Sequence, residues 1–120
     1  MTEVKKTKQY DLEERTLRFA KEVIMYVNTL PKTMANNEII KQVIRSSGSV
    51  GANYIEANEA LSKKDFAMRV KICRKEAKES GYWLKLLELR GEDTEQKRQM
   101  LIDEAIQLTK IFGAIVEKSK

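Results

Sequence analysis

The chain has 120 residues, 42% hydrophobic and 34% charged, with only 5 Gly and 1 Pro; that is one domain's worth of core and too few chain breakers for a turn-rich sandwich or barrel. The net charge of +5 permits a polyanionic partner without demanding one. Histidine is absent and Cys73 is the single cysteine, which removes the commonest general base and excludes an internal disulfide or a thiolate zinc site. Neither an enzyme nor a bound cofactor is expected. The polar start lacks the apolar stretch of a signal peptide. Apolar runs such as Val23 to Val27 fall far short of the roughly 20 residues a membrane span needs. A soluble cytoplasmic protein without membrane contact is the expectation.

Four helical segments follow in chain order. The first runs from about Asp11 to Leu30, with Leu12, Thr16, Phe19, Val23, Val27 and Leu30 recurring at spacings of three and four along one face. Asp11 and Glu14 sit at capping-box positions, and Pro31 ends the segment by pushing Leu30 out of the α region. The second runs from Asn36 or Asn37 to Leu61, its stripe being Ile40, Val43, Ile44, Ser47, Val50, Gly51, Tyr54 and Leu61. Its middle, Ser46 to Gly51, is rich in weak helix formers, but the helical period continues through it, with a bend or a break at Gly48 as the alternative.

The third segment runs from about Ser62, capped with Asp65, to Arg90, with Gly91 as its stop. Its stripe is Phe66, Val70, Cys73, Ala77, Ser80, Leu84 and Leu87. The fourth runs from about Asp93 to Lys118 on Leu101, Ala105, Leu108, Phe112 and Ile115. Four amphipathic helices joined by short connections predict an all-α fold, an antiparallel up-down-up-down four-helix bundle over residues 11–120. Residues 1–10 read as a flexible tail.

Cys73 lies on a core stripe and reads as a small buried hydrophobe rather than a thiolate. The Gly48–Gly51 stretch lacks the strand and the Gly-Lys-Ser/Thr ending of a phosphate loop. It reads as packing: Ser47 and Gly51 admit a neighbouring helix, and Ser49 and Ala52 on the other side admit a partner subunit. Basic charge concentrates in the third helix. Ser62 to Arg90 holds nine Lys/Arg and four Asp/Glu, an excess equal to that of the whole chain. Lys64, Lys71, Lys75 and Lys78 share one stripe opposite the core, continued by Tyr82. That is either a surface for phosphates and stacked bases or an ordinary solvated face. Met68, Ile72, Trp83 and Leu86, with Glu79 among them, form a second apolar stripe that a monomer does not need, and read as a subunit interface. Arg45 and Glu56 are roughly 16 Å apart along the second helix, so each pairs with another helix, pairs across subunits, or stays solvated.

The run Arg45 to Glu56, RSSGSVGANYIE, resembles the signature of the bacterial four helix bundle protein family, also called the 23S ribosomal RNA intervening-sequence protein family. Arg45, Ser49, Ala52, Asn53 and Glu56 fall on that signature. Leu30-Pro31 fits upstream. Ser62 to Phe66 looks like the next helix start, Arg74 to Leu84 looks like one branch of the family, and Glu79 matches an acidic position. The chain departs from the common pattern at Ala57, where many members have Gly, and at Glu76, where many have Ser. The resemblance implies a four-helix bundle assembled as a homopentameric ring, with no established catalytic activity. Some members are encoded within insertions in 23S ribosomal RNA genes, and a distant relative is a nucleic-acid-binding accessory subunit of reverse transcriptases in diversity-generating retroelements. A homo-oligomer that contacts RNA or DNA is the resulting expectation, with a pure protein-interaction scaffold or accessory subunit as the alternative.

Overall fold

The computed structural model describes residues 2–120, with side chains from Leu12 onward. Four helices make up the fold: α1 (Thr2–Val27), α2 (Met34–Asn58), α3 (Lys63–Leu86) and α4 (Glu92–Lys118), with no strand among the described residues. The start of α1 precedes the Asp11 cap read from the sequence. The side chains of residues 2–11, and with them the tail expected over residues 1–10, lie outside the described residues. Each helix packs on its neighbours in the chain, α1 and α4 close the ring of contacts, and among the described residues the backbones of the diagonal pairs stay apart, their side chains meeting in the core. That is the predicted antiparallel four-helix bundle. Among the described residues the α1–α4 seam is the loosest of the four.

The core follows the helical period. Phe19, Val23, Val43, Val50, Val70, Leu84, Leu108 and Phe112 are all at most 1% exposed, and Tyr54 tilts against Phe112 with ring centroids 5.7 Å apart. Two stripe residues fall outside it. Ile44 is 39% exposed and Leu61, beyond the end of α2, is 98% exposed. The Ser46–Gly51 stretch neither bends out of helix nor breaks. Small residues serve close packing there instead. Ser46 Oγ and Ser80 Oγ hydrogen-bond at 2.8 Å between α2 and α3. A Cβ added to Gly51 would stand 2.9 Å from Thr16 Oγ1 of α1, so α1 and α2 approach each other only because residue 51 has no side chain.

The helix ends differ from the sequence reading for a tertiary reason. Helix α2 starts earlier than expected because Thr33 is its N-cap, its hydroxyl accepting from the Asn36 N–H at 3.1 Å. The Asn36 side chain is thereby free for another task. Fully buried, it donates from Nδ2 to the carbonyls of Pro31 and Glu88, both at 3.0 Å, and accepts the Glu88 N–H at 2.8 Å. Asn36 therefore ties the α1–α2 connection to the α3–α4 connection. It also takes the N–H that would extend α3 past Leu86. Arg98 of α4 reaches the carbonyls of Lys85 and Leu87 at 3.3 and 3.2 Å, a cation at the C-terminal end of α3. So α3 stops short of Arg90. Gly91 is not its stop but the N-cap of α4, with φ of 88° in the left-handed region that glycine tolerates. Ser62 caps α3 as predicted, accepting the Asp65 N–H at 3.1 Å.

Candidate functional site

The exposed side of α3 divides into two flanks, one leaning toward α4 and one toward α2. On the α4 flank the helices approach through small residues: a Cβ on Gly81 would meet the Ala105 Cβ at 3.6 Å, and one on Gly113 would meet the Arg74 Cδ at 3.6 Å. The close approach leaves a trough of about 430 Å³. Ala77, Gly81, Ile102, Ala105 and Ile106 give it apolar walls, and Lys78, Lys85 and Lys110 join Tyr82 in lining it, with no acidic residue. A second depression of about 580 Å³ shares Lys78, Tyr82 and Thr109 with the first and adds Arg74, Lys75 and Glu79. The two form one continuous surface. Tyr82 is 58% exposed, and Trp83 meets it edge-on with centroids 5.2 Å apart and planes at 70°, which holds the phenol ring over the trough.

Cations gather on this surface, although, like most cations of the described chain, they lack a close carboxylate. Arg15, Arg45, Arg98, Lys41 and Lys120 each have a carboxylate within 4.0 Å, whereas Arg74, Lys75, Lys78, Lys85 and Lys110 have none among the described residues. A larger groove of about 700 Å³ lies in the α1–α4 seam, but its charge is mixed. Glu22 and Glu104 share it with Arg15, Arg18 and Lys97, and Arg15 holds Glu104 through two bonds of 2.7 and 2.8 Å.

Of the residues predicted for nucleic-acid contact, Lys75, Lys78 and Tyr82 come together in the α3–α4 surface. Lys64 and Lys71 are exposed on α3 but line neither depression. Arg74, Lys85 and Lys110 belong to the surface and were missed. For Lys110 no signal existed in the sequence, because only the packing of α4 against α3 brings it there. Lys85 lies one turn beyond Tyr82 and two beyond Lys78, so extending the stripe past Tyr82 by a turn would have found it.

The α2 flank of α3 gathers the remaining residues. Arg45 donates to both oxygens of Glu76 at 3.3 and 3.4 Å and stands 3.6 Å from Glu79, so its partner is on another helix of the same chain. Glu76, the departure from the family pattern, is the nearer carboxylate and is buried. Asn53 donates to the Ser49 carbonyl at 2.9 Å and accepts from Arg69 at 3.0 Å. Ala52 and Glu56 are exposed on the same helix. Beside these pairs, Met68 and Leu86 are 52% and 44% exposed, while Ile72, Glu79 and Trp83 are half-buried. The signature residues and the second apolar stripe therefore occupy one face.

Cys73 is fully buried, and burial pushes its thiol up to about 12. That is the reverse of an activated thiolate. No helix is long and apolar enough to cross a membrane among the described residues.

Residues 8–114 match the family described as 23S rRNA-intervening sequence protein. The chain belongs to that family. A solved structure is similar to it with 29% identity and a TM-score of 0.72, covering 92% of this chain and 98% of the other. That neighbour is a protein of unknown function from the S23 ribosomal protein family of Bacteroides thetaiotaomicron, at 1.70 Å resolution. No curated protein matches. The span matched to the intervening-sequence family includes the Arg45–Glu56 run.

Proposed function

We propose that this intervening-sequence family protein is a non-enzymatic, cytoplasmic homo-oligomer that binds RNA or DNA through the α3–α4 surface. The observation that carries the reading is charge. Five cations, Arg74, Lys75, Lys78, Lys85 and Lys110, line one continuous surface with no carboxylate within 4.0 Å among the described residues. Repulsion between them is unfavourable in the free protein and is relieved by a bound polyanion. Lysines contact phosphates and carry little base information, so broad sequence tolerance is expected. The test is a titration of fluorescent RNA and of duplex DNA at two salt concentrations. Binding that weakens with salt, and that is abolished when Lys75, Lys78, Lys85 and Lys110 become Glu, supports the reading. Absence of binding at low salt leaves the scaffold reading in its place.

The assembly reading rests on the α2 flank. Met68 and Leu86 are about half exposed there, with Ile72 and Trp83 half-buried on the same stripe, a second apolar face that a monomeric bundle does not need. Five copies are the number expected from the family resemblance. Light scattering measures it, and a monomer at micromolar concentration refutes the interface.

A further inference from the structure

We infer that the α3–α4 trough receives an unpaired base, so that the ligand of this surface is a single-stranded nucleic acid rather than a duplex. The inference rests on the nucleic-acid reading above and sharpens it. A duplex presents phosphates to a protein and keeps its base faces stacked inside. A surface built only for duplex backbone needs cations and no apolar recess. Here the cations surround one. The trough holds about 430 Å³, and Ala77, Gly81 and Ala105 contribute its small residues. The 3.6 Å approach of a Gly81 Cβ to the Ala105 Cβ shows how close the helices come beneath it.

Tyr82 lines the trough and also the adjoining depression. It is more than half exposed, and the edge contact with Trp83 restrains it. An exposed, oriented aromatic ring next to an apolar recess is a stacking platform, and every base offers a π-face to it. The cations are placed for the flanking phosphates. Lys78, Lys85 and Lys110 line the trough itself, and Arg74 and Lys75 line the depression into which it continues. A strand running along the α3–α4 seam thus meets an apolar recess, an aromatic ring and five cations, with Glu79 the one carboxylate lining the adjoining depression, a combination suited to sequence-tolerant single-strand binding.

The test compares three oligonucleotide probes of equal phosphate number with the full-length protein at one salt concentration: a single strand, the same strand with abasic sites, and a duplex. Fluorescence anisotropy gives each Kd. The intact single strand is expected to bind roughly five- to a hundredfold more tightly than its abasic counterpart, and more tightly than the duplex. Tyr82→Ala, at an exposed position where circular dichroism checks the fold, is expected to bind the intact strand like the abasic one. Equal affinity of wild-type protein for intact and abasic strands overturns the inference while leaving phosphate binding in place. Failure to bind any probe at low salt overturns the nucleic-acid reading itself, and this inference with it.

Discussion

The five cations of the α3–α4 surface make a quantitative prediction about salt. For a single strand, the slope of log K against log salt concentration is about −0.7 for each phosphate neutralised. Arg74, Lys75, Lys78, Lys85 and Lys110, acting together on one strand, give a slope of about −3.5 per subunit. A fourfold rise in salt then weakens binding roughly a hundredfold. Replacing Lys78 and Lys110 by Gln leaves three cations and a slope of about −2.1, so the same rise in salt weakens binding only about twentyfold. If a strand spans several subunits of an oligomer, both slopes are multiplied alike. Their ratio, about three-fifths, is therefore independent of how many subunits engage. Both side chains are exposed, so the helices are undisturbed. The assay is anisotropy across a salt series for wild type and variant, with Lys64→Gln/Lys71→Gln as the control outside the trough. A slope ratio near one, or an equal change in the control, would refute the assignment of the phosphate path to the α3–α4 seam.

Other perturbations test the scaffold. Asn36→Ala removes three hydrogen bonds joining two connections; at about 1–3 kcal/mol for each buried group left unpaired, discounted for water reaching the loops, the loss is about 2–4 kcal/mol, read as a fall in Tm of order 10 °C. Gly51→Ala places a Cβ 2.9 Å from Thr16 Oγ1 and should destabilise by about 1–3 kcal/mol, with Thr16→Ala partly restoring stability in a double-mutant cycle followed by urea unfolding. Trp83→Ala should lower the mass measured by light scattering while leaving helicity intact, since interface aromatics are often worth about 2 kcal/mol or more. Burial raises both Cys73 and Tyr26 to about 12; their buried neutral forms stabilise the fold fully below about pH 9, and unfolding midpoints should fall as pH rises from there toward 12.

What the sequence makes legible is periodic. Phe19, Val23, Val43, Val70, Leu84 and Phe112 were identifiable because an apolar residue every three or four positions defines a helix face without knowledge of its neighbour. Ile44 and Leu61 show the limit of that rule. An angle on a helical wheel says that a side chain lies near the core sector, not that another helix reaches it, and Leu61 sits past the cap of α2. Buried polar groups are illegible for a related reason. Asn36 and Glu76 are tolerated inside only because Glu88 and Arg45 stand opposite them, and both partners lie on other elements.

Glu76 makes the point most sharply. Read along the chain, it is a departure from a family pattern that usually has a small residue there. Read in the fold, it lies within reach of Arg45, a signature residue, and shares that guanidinium with Glu79. Glu76 and Glu79 offset Arg45 and the neighbouring Arg69, so the α2 flank of α3 carries no cationic excess. On the opposite flank five cations lie without a carboxylate within 4.0 Å among the described residues. One helix thus distributes charge unevenly across its own width. The α2 flank adjoins the half-exposed apolar stripe proposed for self-association and offers a polyanion no concentration of unpaired cations. The basic flank adjoins the trough, where a polyanion is drawn in. Assembly and nucleic-acid binding can then proceed on opposite edges of α3, and Lys78 and Met68 variants should affect the two properties independently, whereas a Trp83 variant also releases Tyr82.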